Sequence, residues 1–138
     1  MDPLFKVREA EVSKLLSSRI VKQIEKRMKH VEEGVARVEK ASGLSYPSYY
    51  VDPVLHVATS SLEFGAMGVT YARTIPVETQ RGLEIWVQLS APLVLYGLKT
   101  TIRAVLAHEF LHYIELMRKF VKIYIVSDTL SSTLYEST

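Results

Sequence analysis

His108, Glu109 and His112 are the residues in this chain whose types and spacing could do chemistry. They stand in the run Ala107-His108-Glu109-Phe110-Leu111-His112-Tyr113, which reads H-E-x-x-H. Four residues make just over one helical turn, so on a helix the two imidazoles point the same way. Two histidines at that spacing can hold one zinc ion, and Glu109 sits one step round the helix. From there a carboxylate could take a proton from a metal-bound water, whose pKa zinc lowers to about 7. The bland alternative is a pair of core histidines bonded to backbone carbonyls.

The flanks supply the helix that must position them. From Ile102 to Phe120 the apolar positions 102, 106, 110, 113, 117 and 120 form one helical stripe. Val105, His108, His112 and Glu115 form the neighbouring stripe, and Glu109 falls between the two. A helix apolar on most sides is expected to be buried, and polar groups on its edge then need partners. This helix is expected to start near Lys99. Past Arg118, Lys119 and Lys122 the cations suit a helix C-terminus, and Ser127 or Asp128 is expected to cap a last helix over 129–135.

Upstream, three stretches read as strands. Val54 to Thr59 is short and apolar, with His56 expected in the sheet rather than on a metal. Gly68 to Ile75 carries Thr70, Tyr71 and Thr74, which favour extended chain. Leu83 to Leu89 is the clearest, with Leu83, Ile85, Val87 and Leu89 on one side. Residues 76–82 read as a polar connection, long for a tight hairpin. Ala91-Pro92 breaks the third strand, and a helical approach through Val94 and Tyr96 is interrupted at Gly97.

Before the strands, Val12, Leu16, Ile20, Ile24, Met28, Val31, Val35 and Val38 recur at steps of three and four. That spacing predicts one long amphipathic helix from about Glu9 to Val38, with Lys22, Lys26, Arg27, Lys29, Glu32 and Glu33 on its other side. The simplest role is packing on the domain. A dimer helix, a membrane-surface helix or a latency segment would show the same pattern. His30 is expected at the surface. The loop 41–48 ends this region, and Tyr46, Tyr49 and Tyr50 are expected to cap a core edge.

The run Val105-Leu106-Ala107-His108-Glu109-Phe110-Leu111-His112-Tyr113-Ile114 resembles the extended signature of the zincin metallopeptidases. In that family the positions between and beside the ligands are uncharged, as they are here. Within it the chain is similar to the minigluzincins, minimal catalytic domains related to thermolysin, over residues 54–138. The resemblance implies an α+β fold: a short twisted sheet packed on a buried metal-binding helix, preceded here by the long N-terminal helix. It implies a Zn2+ cofactor, Glu109 as general base and a peptide or protein substrate laid along a sheet edge. Small residues at Gly65, Ala66 and Gly68 make Gly68 to Ile75 the expected edge, with Leu83 to Leu89 inside the sheet.

A catalytic zinc needs a third protein ligand. Gluzincins take a Glu from a later helix, and by that resemblance Glu136, 24 residues past His112, is the first candidate. Asp128, Glu115 and a residue beyond Thr138 are the others, and a site with no third protein ligand is the remaining alternative. The metzincin pattern is excluded, because its Gly and third His positions hold Glu115 and Arg118.

Composition bounds the rest. A chain of 138 residues, 48% hydrophobic and 23% charged, fits one domain with a 1–41 helical region and a 54–138 catalytic region. A net charge of +2 does not argue for nucleic acid. With no cysteine there is neither a disulfide nor a thiolate zinc site. The start has no apolar signal-like run, and the longest apolar stretches are broken by polar residues. A soluble, cytoplasmic zinc endopeptidase is the expectation, with the N-terminal helix a candidate homo-oligomer surface. Its rivals are a latent or inactive zincin serving as a binding module, and a nucleic-acid-associated protease.

Overall fold

The chain enters the fold through two helices, α1 (Phe5–Val12) and α2 (Ser18–Ser42), where the apolar spacing predicts one. The computed structural model describes residues 1–54, 56–57 and 69–136, with residues 56–57, 69–70 and 123–136 described by their backbone alone. The break between α1 and α2 is a backbone event. Lys14 takes φ 64°, the left-handed region that ends a helix. The Ser17 side chain then accepts a hydrogen bond from the Ile20 N–H at 3.3 Å and caps α2. Val12 consequently leaves the apolar stripe and is 84% exposed. Val21, Ile24, Met28, Val31 and Val35 bury the face that the periodicity predicts. Gly43, at φ 72°, closes α2 with its N–H on the Glu39 carbonyl at 2.9 Å.

The main sheet is mixed. Its strands are β1 (Tyr49–Asp52), β4 (Ala72–Thr79) and β5 (Gly82–Ser90), in the order β1-β5-β4. β1 runs parallel to β5 and β4 antiparallel to it. A separate antiparallel ribbon joins β2 (His56–Val57) to β3 (Val69–Thr70). The strand expected over Val54 to Thr59 is seen only as β2, and residues 58–68 lie outside the described residues, Gly65, Ala66 and Gly68 among them.

Two sequence expectations are corrected here. Tyr49 and Tyr50, expected to cap a core edge beside the loop, belong instead to the strand β1, because pairing with Val87–Ser90 is a non-local contact that four residues do not announce. The supposed connection over 76–82 is mostly strand. β4 continues to Thr79 and the hairpin turns at Gln80-Arg81. The Thr79 hydroxyl accepts from the Arg81 N–H at 3.2 Å and donates to the Gly82 carbonyl at 3.1 Å. Gly82 supplies φ 107° at the turn exit.

β5 lies inside the sheet, as expected, with Val87 and Leu89 fully buried. The expected edge strand is split into β3 and the start of β4, and β4 is an edge of the sheet. Pro76, which has no N–H to give a second neighbour, suits that place.

After β5, Ser90 caps the short α3 (Ala91–Tyr96) by accepting from the Leu93 N–H at 3.2 Å. α4 (Lys99–Glu136) starts where the sequence predicts. It packs on α2 through Gly34, where a Cβ would stand 2.5 Å from Leu106 Cδ1. Its other neighbours are β4 and β5. Ile24, Val31, Val51, Leu89, Ile102 and Leu106 meet in the core between the layers, and the architecture is α+β.

α4 departs from expectation in two ways. It is buried on one face only: Ile102, Leu106 and Phe110 point inward while Ala107, His108 and Leu111 are exposed. The sheet and α2 cover one side of the helix and nothing among the described residues covers the other. Nor does a new helix begin at Ser127 or Asp128. Both lie inside α4, which continues unbroken to Glu136. A capping residue starts a helix only where the chain has left helical geometry, and here it has not. Among the described residues no helix is long and apolar enough to cross a membrane.

Candidate metal centre

His108 and His112 face the same way from successive turns of α4. Their Nε2 atoms stand 3.0 Å apart and their rings meet edge-on at 88°. One nitrogen each from the two histidines and a Glu109 carboxylate oxygen all lie within 4.8 Å of one another. Two nitrogens on one tetrahedral ion at a bond length of about 2.05 Å would be roughly 3.3 Å apart. The pair therefore needs little movement to take a metal. Among the described residues this is the one group of three histidine or acidic side chains so arranged, and it could hold a metal ion.

Burial divides the three. Glu109 is 3% exposed, His108 is open to solvent, and the His112 side chain is 41% exposed. The carboxylate thus sits at the back of the site and the imidazoles at its mouth. β4 supplies the back wall. The Thr74 hydroxyl reaches Glu109 Oε2 at 2.7 Å and the Glu109 carbonyl at 3.1 Å. A buried carboxylate needs such a donor, and this one ties the edge of the sheet to the helix at the candidate site.

One turn earlier on α4, Tyr46 fastens the helix as well. Its hydroxyl donates to the Leu106 carbonyl at 2.7 Å, and its ring stacks on Phe110 at 5.5 Å. Burial first, and then the charge of Glu109, push the Tyr46 hydroxyl well above the usual tyrosine range, so it remains a neutral donor.

Glu115 lies along the same side of α4, with Oε2 3.9 Å from His112 Nδ1. That is too far for a hydrogen bond. It stands on the side of the ring nitrogen turned away from His108.

The structure does not bring Glu136 to the histidines. With α4 unbroken, its backbone is about 36 Å along the axis from that of His112, at 1.5 Å per residue. Asp128 is about 24 Å away by the same measure. The expected return after a turn fails because there is no turn. The side chains of both residues lie outside the described residues, as does that of His56, whose backbone pairs with Thr70. His30 is partly buried on α2, not fully at the surface as expected, and its Nδ1 has no hydrogen-bond partner.

Sequence reasoning missed Thr74 and Tyr46. Thr74 was legible only as a strand former, and Tyr46 only as a cap on a core edge. What makes them matter is the placement of β4 and of the 43–48 loop against α4, which no local pattern encodes. No family model, no curated protein and no solved structure matches this chain.

Proposed function

We propose that this chain is a zinc-dependent endopeptidase of the zincin kind, with His108 and His112 as metal ligands and Glu109 as the proton-transferring base. One observation carries the reading: the two Nε2 atoms converge to 3.0 Å with the Glu109 carboxylate beside them. Zinc held there would supply a Lewis acid that acidifies water and polarises a peptide carbonyl. Glu109 is the group that accepts a proton and passes it to the leaving amide nitrogen. Thr74 holds that carboxylate in one orientation, so little reordering is needed when the proton moves. Glu115 stands beside His112 on the Nδ1 side, where it could orient the ring. The outer edge of β4, next to Glu109, offers backbone groups to an extended peptide.

A second reading is a zincin-like module that binds metal without turnover. The unbroken course of α4 favours it, since neither Glu136 nor Asp128 is carried back as a third ligand. Metal analysis and cleavage of an unfolded protein substrate separate the two. The peptidase reading expects about one zinc per chain and chelator-sensitive cleavage. In it, Glu109→Gln keeps zinc but abolishes cleavage, and His112→Ala loses both. Stoichiometric zinc with no cleavage by the wild type would select the binding module. Equal metal content in wild type and His112→Ala would remove both readings.

A further inference from the structure

The solvent side of α2 has its charges sorted by sign. At 3.6 residues per turn, Arg19, Lys22, Lys26, Lys29, Arg37 and Lys40 fall along one exposed stripe. Glu25, Glu32 and Glu39 fall along another, about 100° round the axis. Glu33 lies within the basic stripe but is matched by Lys99 at 3.5 Å and Arg103 at 3.8 Å. Among the described residues Arg19, Lys22, Lys26 and Lys29 form no ion pair. Cations left in a row without carboxylates do little for folding.

Beside this stripe the corner between α3 and α4 exposes two large apolar side chains, Tyr96 at 76% and Leu98 at 72%. Arg27 binds the corner to α2. Its Nε donates to the Val94 carbonyl at 2.9 Å and its Nη2 to the Gly97 carbonyl. Those two bonds hold the corner that carries the apolar tip against α2. Between them lies a pocket of about 460 Å³, lined by Lys26, Arg27, Lys29, His30 and Tyr96. The buried, unpartnered Nδ1 belongs to that His30.

We propose that this face docks on an anionic lipid bilayer, with a lipid phosphate in the pocket and Tyr96 and Leu98 entering the interface. Lysines beside a lipid surface gain from its negative potential, and an aromatic or leucine tip gains from the headgroup boundary. An anionic membrane surface engages the two features together. A nucleic-acid duplex would attract the same cations, yet it would leave Leu98 in water. The candidate metal centre is not on this face. Arg103, which reaches Glu33 on α2, is nine residues from His112 and so about 180° round α4 from it. Docking would leave the histidine pair open, and the proposal stands whether or not the chain is a peptidase.

The test is co-sedimentation of the full chain with phosphatidylcholine vesicles, with and without phosphatidylserine, across a range of salt. Binding is expected to the mixed vesicles and not to phosphatidylcholine alone. Lys26→Glu with Lys29→Glu should lower the partition coefficient by more than about 10-fold. Tyr96→Ser with Leu98→Ser should weaken it too and make the remainder fully salt-reversible. All four positions are exposed, and unchanged circular dichroism and thermal melting would exclude misfolding. Equal binding to both vesicle types overturns the proposal, as does wild-type partition by either double variant. Absence of vesicle binding overturns it as well. In that event, retention on duplex DNA by the Tyr96/Leu98 variant would assign the stripe to nucleic acid, and saturable binding of inorganic phosphate alone would reduce the pocket to an anion site.

Discussion

Thr74 on β4 and Glu109 on α4 are joined by a 2.7 Å hydrogen bond from Oγ1 to Oε2. The bond links an edge strand to the middle of the H-E-x-x-H run, two elements 35 residues apart in the chain. It gives a buried carboxylate a donor, and it sets which way that carboxylate points.

Thr74→Val keeps the shape and removes the hydroxyl. Glu109 Oε2 is then buried without this donor, which should destabilise the fold by about 1–3 kcal/mol. Thr74→Ser should recover most of the loss. Urea unfolding of the three proteins decides it, and an unchanged midpoint in Thr74→Val would show that the bond contributes nothing.

Glu136→Gln should leave zinc affinity unchanged, because α4 carries Glu136 away from His112. His108→Ala and His112→Ala should each abolish tight binding. Glu109→Gln separates base from ligand: retained affinity fits a base, and a loss as large as that of the histidine variants would make Glu109 a ligand. Zinc titration by calorimetry reads all four. A tenfold loss in Glu136→Gln would mean that α4 bends back on itself in solution.

Gly34→Val should destabilise the chain by about 1–3 kcal/mol, because the buried Leu106 Cδ1 would have to shift within a packed core to make room. The push arrives on α4 two residues before His108. Zinc affinity is therefore expected to fall along with the melting temperature. A variant as stable as wild type would mean that the α2–α4 contact is looser than the structure has it.

Tyr46 predicts an alkaline loss of stability. Its folded pKa is raised, so the neutral form is favoured in the native state. The stabilisation is complete below the unfolded tyrosine value of about 10 and is lost as pH rises above it. Tyr49 and Tyr50 shift the same way, each chiefly by burial, and add to the effect. Tyr46→Phe should cost about 1 kcal/mol at neutral pH, for the bond to Leu106, and should flatten the decline above pH 10. Stability curves between pH 7 and 11 check this, and parallel slopes for the two proteins would refute it.

Much of the architecture follows from local patterns. The α2 face from Val21 to Val35, the buried side of β5 and the start of α4 are all written in spacing or in single residues. They survive because each depends on local pattern. The errors lie where a distant partner decides. Tyr49–Asp52 is a strand only because Val87–Ser90 lies beside it. Residues 76–79 are strand because β5 pairs with them across a two-residue turn. The helix break at Lys14 is a single φ that the apolar repeat runs straight across.

The same division holds for the candidate site. The sequence alone determined the convergence of His108 and His112, since i and i+4 on any helix share a face. It determined equally that Glu109 stands beside them. Only the tertiary structure decided that Glu109 is buried and the histidines open, because that depends on which side of α4 the sheet covers. Only the tertiary structure revealed Thr74 and Tyr46 as the groups that hold this turn of the helix. And only it decided that Glu136 is far from the pair. A return needs the chain to leave helical geometry between the two positions, and the backbone of α4 never does.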